Sequence, residues 1–385
     1  SGNSSCNAVS EIRLIFTPVP TSKAGNDAAI CSDGTFTTTG IATGGTIKWT
    51  STGNGTFDDA TKLNAVYTPG NTDATNSPIT LKLTVTGTNE CLNVNAEDEM
   101  LLTVSPINTV NAGADATICS NITFQTQGQA SNGTILWTSS GTGTFNDNTI
   151  ATPIYTPSNA DKSAGTVTLT MKVTALQGTA CEGNIETDNV ILTITPEPTA
   201  DAGPATAIIC GGYTYQTQGS AANGTIKWTT SGTGTFNNDT SATPIYTPGV
   251  NETSGTVTLT MKVKGQNGCA SDEPSDSVVL SIYTAAATVT TIDVSCNGGN
   301  NGFASIAASG GVAPYSYAWY KGTSLLTSTT NELANITAGN YSCVVTDING
   351  CSVTKTFTIT EPTAITITSS QTNVTTNNGT DGSVT

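Results

Sequence analysis

A tryptophan that recurs four times at nearly constant spacing is the feature that most limits what this chain can fold into. Tryptophan recurs with spacings of 88, 91 and 91 residues, at Trp49, Trp137, Trp228 and Trp319. The first three lie in nearly the same hexapeptide, Gly-Thr-Ile-Lys-Trp-Thr or Gly-Thr-Ile-Leu-Trp-Thr, followed by Gly-Thr-Phe and then Tyr-Thr-Pro. Self-similarity at a fixed period indicates tandem copies of one unit. A unit of about 90 residues is too long for a solenoid repeat and fits a β-sandwich domain of about seven strands.

The strand-like segments of each unit alternate between polar and apolar residues. Residues 166–173, Thr-Val-Thr-Leu-Thr-Met-Lys-Val, are typical of a strand with one buried face. Gly-Thr-Gly-Thr-Phe and Asn-Gly-Thr segments supply the turns. We therefore predict an all-β chain of tandem β-sandwich domains, with each tryptophan buried on a core strand. A tryptophan exposed for sugar stacking is the alternative.

The repeat also predicts the domain boundaries. The expected segments are 1–19 (the C-terminal remnant of a truncated repeat), 20–106, 107–197 and 198–284 (three full repeats), 285–362 (a fourth, divergent repeat) and 363–385 (the start of a further truncated repeat). The first segment is assigned because residues 6–18 resemble residues 181–196. The linkers are short and contain proline, which predicts semi-stiff joints, an extended rod and a monomeric fragment.

Composition excludes several classes of function. The chain has no histidine, which removes Ser-His-Asp and Cys-His catalysis and His-ligated metals. Its formal net charge of −16 repels phosphates, so we expect no nucleic-acid partner. No apolar run is long enough to predict membrane insertion. The paired acids at 58–59 and 97–99 are interpreted as solvated loops rather than as a glycosidase pair, and we predict that the chain is not an enzyme.

Calcium is the one cofactor that the sequence leaves open. No Asp-x-Asp-x-Asp-Gly calcium loop is present. Four acidic residues near the expected joints leave weak calcium binding as an alternative, namely Asp27, Asp115, Asp201 and Asp293. No other cofactor or metal site is predicted.

Ten cysteines, with no Cys-x-x-Cys pair and no histidine, indicate disulfides and an oxidising compartment. Equivalent positions in tandem copies predict pairing within each domain, as Cys31–Cys91, Cys119–Cys181, Cys210–Cys269 and Cys296–Cys351. Each bridge would close a loop of about 60 residues, worth roughly 4 kcal/mol on the loop-entropy model. Two cysteines remain. Cys6 is expected to be a free thiol in this chain, because its partner would lie upstream. Cys343 is interpreted as a buried free thiol that follows Tyr341 in a tyrosine-corner pattern.

Five segments of the fourth repeat together resemble the SprB repeat, which occurs in long surface adhesins of gliding Bacteroidetes. They are Val-Ser-Cys-Asn-Gly-Gly-Asn-Asn-Gly (294–302), Ala-Ser-Gly-Gly-Val-Ala-Pro-Tyr-Ser-Tyr-Ala-Trp (308–319), Ala-Gly-Asn-Tyr (338–341), Val-Thr-Asp-Ile-Asn-Gly-Cys (345–351) and Thr-Ile-Thr-Glu-Pro (358–362). The first three repeats are similar to PKD-like, immunoglobulin-like repeats of the same kind of protein, and Asn-Ala-Gly-Ala-Asp (111–115) and Asp-Ala-Gly-Pro (201–204) mark two of their starts.

This resemblance implies a cell-surface location and export by the type IX secretion system, and it transfers no catalytic residue. The expected function is that of a non-enzymatic structural stalk in a large adhesin used for surface attachment and gliding motility. Its partners would be an extracellular surface or polysaccharide, reached through other parts of the full-length protein, and the gliding and secretion machinery. The alternative is a carbohydrate- or surface-binding module in which one repeat holds the ligand.

Overall fold

Short β-strands form nearly all of the regular structure, so the all-β prediction is confirmed. The computed structural model describes residues 10–385. These residues divide into two compact units, with the boundary between Pro196 and Glu197. Each unit contains two of the predicted repeats. Helix in the described residues is limited to the six-residue α1 (Asn159–Ala164) and two 3-10 segments (Asn89–Cys91 and Asn267–Cys269). In residues 10–385 we find no helix with the length and apolar character that a membrane span requires.

The first repeat has three small sheets around one core. Its strands are β1 (Thr21–Lys23), β2 (Ala28–Cys31), β3 (Phe36–Thr37), β4 (Ile41–Thr43), β5 (Gly45–Ser51), β6 (Thr56–Phe57), β7 (Val66–Thr68), β8 (Ile79–Gly87) and β9 (Asn95–Ser105). The largest sheet has the order β2-β9-β8-β5, and a three-stranded sheet β3-β7-β6 and the pair β1-β4 complete the domain. In the largest sheet the first strand, β2, runs parallel to the last strand, β9, whereas the other neighbours are antiparallel.

The second repeat has the same topology. Its strands are β10 (Thr109–Asn111), β11 (Ala116–Cys119), β12 (Phe124–Gln125), β13 (Gln129–Ser131), β14 (Gly133–Ser139), β15 (Thr144–Phe145), β16 (Ile154–Thr156), β17 (Thr166–Ala175) and β18 (Ile185–Thr195). The sheets are β11-β18-β17-β14, β12-β16-β15 and β10-β13. Before β17, Ser158 and Asp161 form a capping box at the start of α1, and Gly165 ends that helix in the left-handed conformation.

The third repeat, in the second unit, repeats this arrangement again. Its strands are β19 (Thr199–Asp201), β20 (Thr206–Cys210), β21 (Tyr215–Gln216), β22 (Ser220–Ala222), β23 (Gly224–Thr230), β24 (Thr235–Phe236), β25 (Ile245–Thr247), β26 (Gly255–Gly265) and β27 (Ser275–Tyr283). The sheets are β20-β27-β26-β23, β21-β25-β24 and β19-β22.

The fourth repeat is a sandwich with a different strand order. Its strands are β28 (Ala285–Ile292), β29 (Gly302–Gly310), β30 (Ser316–Lys321), β31 (Ser324–Leu325), β32 (Glu332–Ile336), β33 (Gly339–Thr346) and β34 (Ser352–Ile359). They form the sheets β28-β29-β32 and β31-β30-β33-β34. Beyond it, β35 (Gln371–Thr372) pairs with β36 (Ser383–Val384), and nearly every residue from 363 to 385 is exposed.

Each core forms around its tryptophan, as the alternating pattern predicts. The four indoles are at most 1% exposed, so the prediction that they are buried is confirmed. In each repeat the tryptophan lies directly opposite a residue of the adjacent central strand: Leu83, Met171, Met261 or Cys343. Along β17 every second side chain is buried, which is how a strand of period two contributes one face to a core. The indole N–H of each tryptophan donates to a backbone carbonyl, so these buried donors are all paired.

Candidate functional site at the junctions between repeats

In each of the first three repeats the two cysteines lie at opposite ends of the largest sheet. We call Cys31, Cys119, Cys210 and Cys296 the first-position cysteines, and Cys91, Cys181, Cys269 and Cys351 the second-position cysteines. Cys31 ends β2, and parallel pairing places it opposite Ser105, the last residue of β9. Cys119 and Cys210 lie in the same way opposite Thr195 and Tyr283. A first-position cysteine of these three repeats therefore lies where its domain ends and the next begins.

The second-position cysteines lie at the other end, in the connection that precedes the last strand. Cys91 comes just before β9, which has 11 residues, and Cys181 comes just before β18, which also has 11. A strand of that length spans about 35 Å. The Cα atoms of a disulfide lie within about 7 Å of each other. The two cysteines of one repeat are therefore too far apart to bond.

The bridges instead join successive repeats. Cys31 bonds to Cys181 with a Cα–Cα distance of 4.9 Å, and Cys210 bonds to Cys351 with a Cα–Cα distance of 5.3 Å. In both cases the first-position cysteine of one repeat meets the second-position cysteine of the repeat that follows.

All four predicted pairings within a domain are wrong, because the last strand separates the two positions. The pairings that the structure overturns are Cys31–Cys91, Cys119–Cys181, Cys210–Cys269 and Cys296–Cys351. Cys91 and Cys296, both predicted to be bridged, are free. Cys119 and Cys269 are disulfide-bonded, as expected for those residues, although the predicted partner of each is bonded elsewhere.

Hydrogen bonds reinforce the junction in the first unit. The side-chain amide of Asn108, which is 2% exposed, donates to the carbonyl oxygen of Val173 at 2.8 Å. The amide of Ala180 donates to the Ser105 hydroxyl at 3.1 Å, and the Cys181 sulfur lies 3.4 Å from the Ser105 carbonyl oxygen. The linker is thus tied to the second repeat at the same place where the disulfide crosses. This junction combines one covalent bond with several buried polar contacts.

The junction in the second unit is shorter and carries a cleft. Only Thr284 separates β27 from β28, so the two repeats follow each other almost without a linker. Beside the Cys210–Cys351 bridge lies a cleft of about 410 Å³ with Tyr213 and Tyr283 in its wall. Tyr213 is 70% exposed. The cleft is a place in this unit where an exposed aromatic ring and a concave surface coincide.

Cys343 is free and fully buried, which confirms its interpretation as a buried thiol. It lies on β33 directly opposite Trp319, where the first three repeats have Leu83, Met171 and Met261. Burial raises the pKa of the Cys343 thiol to about 11. The side chain therefore acts as a small core residue. Cys6 lies outside the described residues.

Sequence reasoning missed a carboxylate in each of the first three repeats, buried in the first two and half-buried in the third. Asp73, Asp161 and Glu252 accept hydrogen bonds from the hydroxyls of Tyr67, Tyr155 and Tyr246 at 2.7, 2.8 and 2.7 Å. Each also accepts from backbone amides of a glycine-containing turn. The signal was available, because an acidic residue follows each Tyr-Thr-Pro tyrosine by six positions.

These carboxylates hold a turn closed. Partial burial opposes ionisation of Glu252, but hydrogen bonds from the Gly249 amide and the Tyr246 hydroxyl outweigh it and lower the Glu252 pKa to about 2. Burial likewise opposes ionisation of Asp161, and the same kind of hydrogen bonding lowers the Asp161 pKa all the same. A Cβ added at Gly141 would lie 1.9 Å from Asp161 Oδ1, so only glycine permits this close approach. The arrangement is a structural clamp, with the charge satisfied by donors of its own repeat.

The acidic residues near the joints have backbone partners within their own repeats. Asp27, Asp115 and Asp293 accept from the amides of Leu101, Ile191 and Thr360 at 2.7–2.9 Å. Asp201 accepts from the Gly203 amide at 2.8 Å. These carboxylates therefore fix strand entries and turns, and weak calcium binding at the joints stays a prediction.

Comparisons with known proteins give one family match, which lies in the fourth repeat, and several similar solved structures. A family model described as the SprB repeat matches residues 288–324. No curated protein matches the chain. Among solved structures, the chain superposes on cadherin domains 3–6 of protocadherin gamma B2 with 14% identity and a TM-score of 0.33, over 90% of this chain and all of that one. It also superposes on the N-terminal eight immunoglobulin domains of DSCAM with 14% identity and a TM-score of 0.39, over 89% of this chain and 49% of that one. For extracellular domains 3–5 of Drosophila OTK the identity is 12% and the TM-score 0.31, over 68% of this chain and 95% of that one.

Proposed function

We propose that this chain is a non-enzymatic stalk segment of a large cell-surface adhesin, in which disulfides between successive repeats carry tension past the domain cores. The observation that carries this proposal is the bridging pattern. Cys31–Cys181 and Cys210–Cys351 each connect the end of one repeat to the beginning of the last strand of the next. A bridge within a domain stabilises that domain alone, whereas a bridge between domains also fixes the joint.

Composition and the family match support the extracellular part of this proposal. Disulfides persist in oxidising compartments outside the cytosol. The SprB match at residues 288–324 favours a role in a gliding adhesin exported by the type IX system. In this role the segment works as a monomer that spaces other parts of the protein from the cell. Those other parts contact the substratum or a polysaccharide, and the gliding and secretion machinery acts on the whole protein.

The test is surface attachment under flow by cells whose full-length protein carries Cys31→Ser and Cys181→Ser. We expect normal amounts of protein at the surface and earlier detachment as shear increases, because the first two repeats then lie in the force path. Leu92→Ser is the control, because Leu92 is an exposed residue that forms no disulfide. Detachment at the same shear in all strains would contradict the stalk function.

The cleft beside the second bridge favours one alternative function. A concave surface with the exposed ring of Tyr213 has the form of a small carbohydrate site, since sugar rings stack on aromatic faces. Glycan-array binding that Tyr213→Ala abolishes would support the binding module. Leu325→Ala, at an exposed apolar residue outside the cleft, is the control.

A further inference from the structure

Cys91 and Cys296 are free although their counterparts in other repeats are bridged. Cys91 is a second-position cysteine, and its counterparts Cys181 and Cys351 each bond to the repeat before them. Cys296 is a first-position cysteine, and its counterparts Cys31 and Cys210 each bond to the repeat after them. The free pair thus consists of one cysteine of each kind, the same combination that forms the Cys31–Cys181 and Cys210–Cys351 bridges.

The turn that follows Cys296 has the same hydrogen bond as the turn that follows the bridged Cys31. The Gly299 amide donates to the Cys296 carbonyl oxygen at 2.9 Å, as the Gly34 amide does to that of Cys31 at 2.9 Å. The same segment lies beside the chain that leaves the last strand, because the Gly298 amide donates to Glu361 Oε2 at 2.8 Å. Cys296 is exposed at this end of its domain. Cys296 therefore lies near the end of the last strand of its repeat and is followed by the same hydrogen-bonded turn as Cys31.

The surroundings of Cys91 match those of Cys181 in the same way. The Val94 amide donates to the Cys91 carbonyl oxygen at 3.1 Å, and the Asn184 amide donates to that of Cys181 at 3.0 Å. The Cys91 sulfur lies 3.8 Å from the carbonyl oxygen of Thr17, in the segment that precedes its repeat. The Cys181 sulfur contacts the segment that precedes its own repeat in the same manner. Both sulfurs thus face the preceding segment.

We propose that Cys91 and Cys296 are open halves of two further bridges between repeats. Cys91 bonds to a first-position cysteine of a repeat placed before it, and Cys296 bonds to a second-position cysteine of a repeat placed after it. The ligand of each site is therefore the thiol of an equivalent repeat, supplied by the same polypeptide or by a second copy. Cys343 takes no part, because it is buried opposite Trp319.

Each bridge forms by thiol–disulfide exchange with a protein or small-molecule disulfide as the oxidant. The thiolate of Cys91 or Cys296 attacks one sulfur of that disulfide and releases the other as a thiolate. The incoming cysteine then attacks the mixed disulfide and releases the second sulfur. Overall two cysteine thiols lose two protons and two electrons, and the oxidant becomes two thiols.

The test is a disulfide map of the natural full-length protein, alkylated at lysis and digested without reductant. A peptide of Cys91 or Cys296 joined to the complementary position of an equivalent repeat supports the proposal. Denaturing electrophoresis of the same sample without reductant identifies the source. Protein of monomer mass means that the same polypeptide supplies the partner cysteine, and protein of dimer mass means that a second copy supplies it. Recovery of either cysteine alkylated, joined to a small thiol or joined to a non-equivalent position overturns the proposal for that cysteine.

A labelling experiment on the 385-residue chain tests separately whether the thiols of Cys91 and Cys296 are accessible for bonding. In the native chain Cys91 and Cys296 should react with a maleimide at least 100-fold faster than Cys343. The variants Cys91→Ser and Cys296→Ser should each lose one fast site and keep the melting temperature of the parent chain. If Cys91 or Cys296 of the native chain labels as slowly as Cys343, the proposal that this cysteine forms a bridge to another repeat is overturned.

Discussion

Reduction should lengthen the stretched chain by about 1,000 Å. Under tension applied at the termini, the covalent path crosses from Cys31 directly to Cys181 and from Cys210 directly to Cys351. These bridges remove 150 and 141 residue positions from the path. An extended residue adds about 3.5 Å, so breaking both bridges returns about 1,000 Å of contour length.

Single-molecule force spectroscopy with and without reductant measures this length. The oxidised chain should extend only through the segments outside the bridges, of which the longest internal one runs from 181 to 210. Each bridge also closes a loop of about 150 residues, which the loop-entropy model values at about 5 kcal/mol. Reduction should therefore also lower the force at which the repeats unfold.

Cysteine variants show which bridges produce the effect. Cys31→Ser and Cys181→Ser should give the same gain in length, since either one breaks the same bond. Cys91→Ser should behave like the parent chain, because Cys91 is free. Equal gains from Cys31→Ser and Cys91→Ser would mean that the bridges lie within domains, and would refute the proposed force path.

The remaining predictions concern pH and the buried thiol. Acidification from about pH 4.5 towards 2 should lower the melting temperature. The pKa of Glu252 is about 2 in the folded state, against an ordinary value of 4.5. The ionised Glu252 side chain therefore stabilises the fold above pH 4.5, and this stabilisation is lost as the carboxylate protonates in the folded protein. Glu252→Gln should flatten that dependence in calorimetry, and an unchanged slope would contradict the clamp. Cys343 should label only after denaturation, since burial raises its pKa to about 11; rapid labelling of the native protein would show that its core position is wrong.

The strands and cores followed directly from the sequence, because they depend on local patterns. Alternation of period two places every second side chain of β17 in the core, and the repeated Trp context predicts four equivalent buried indoles. The interpretation of Cys343 as a buried thiol is confirmed for the same reason, since it occupies an apolar position on an alternating strand.

The pairing of cysteines could not be predicted in the same way. Equal spacing in each copy shows that two cysteines are equivalent between repeats, but not at which end of the domain each one lies. That depends on the parallel pairing of β2 with β9, a contact between strands more than 60 residues apart in sequence. The length of β9 keeps Cys31 away from Cys91. Cys31 therefore bonds to Cys181, the second-position cysteine of the next repeat.

The Tyr–carboxylate clamps were missed because their acidic member varies. Asp73 and Asp161 are replaced by Glu252 in the third repeat, so a search for a constant motif does not find them. The constant quantity is the six-residue separation from the tyrosine, which places the carboxylate beside its hydroxyl.

Peptide mapping of the oxidised 385-residue chain without reductant tests the bridging of successive repeats most directly. We predict a linked peptide pair that contains Cys31 and Cys181, and another that contains Cys210 and Cys351. Linked peptides that join Cys31 to Cys91, or Cys210 to Cys269, would contradict it.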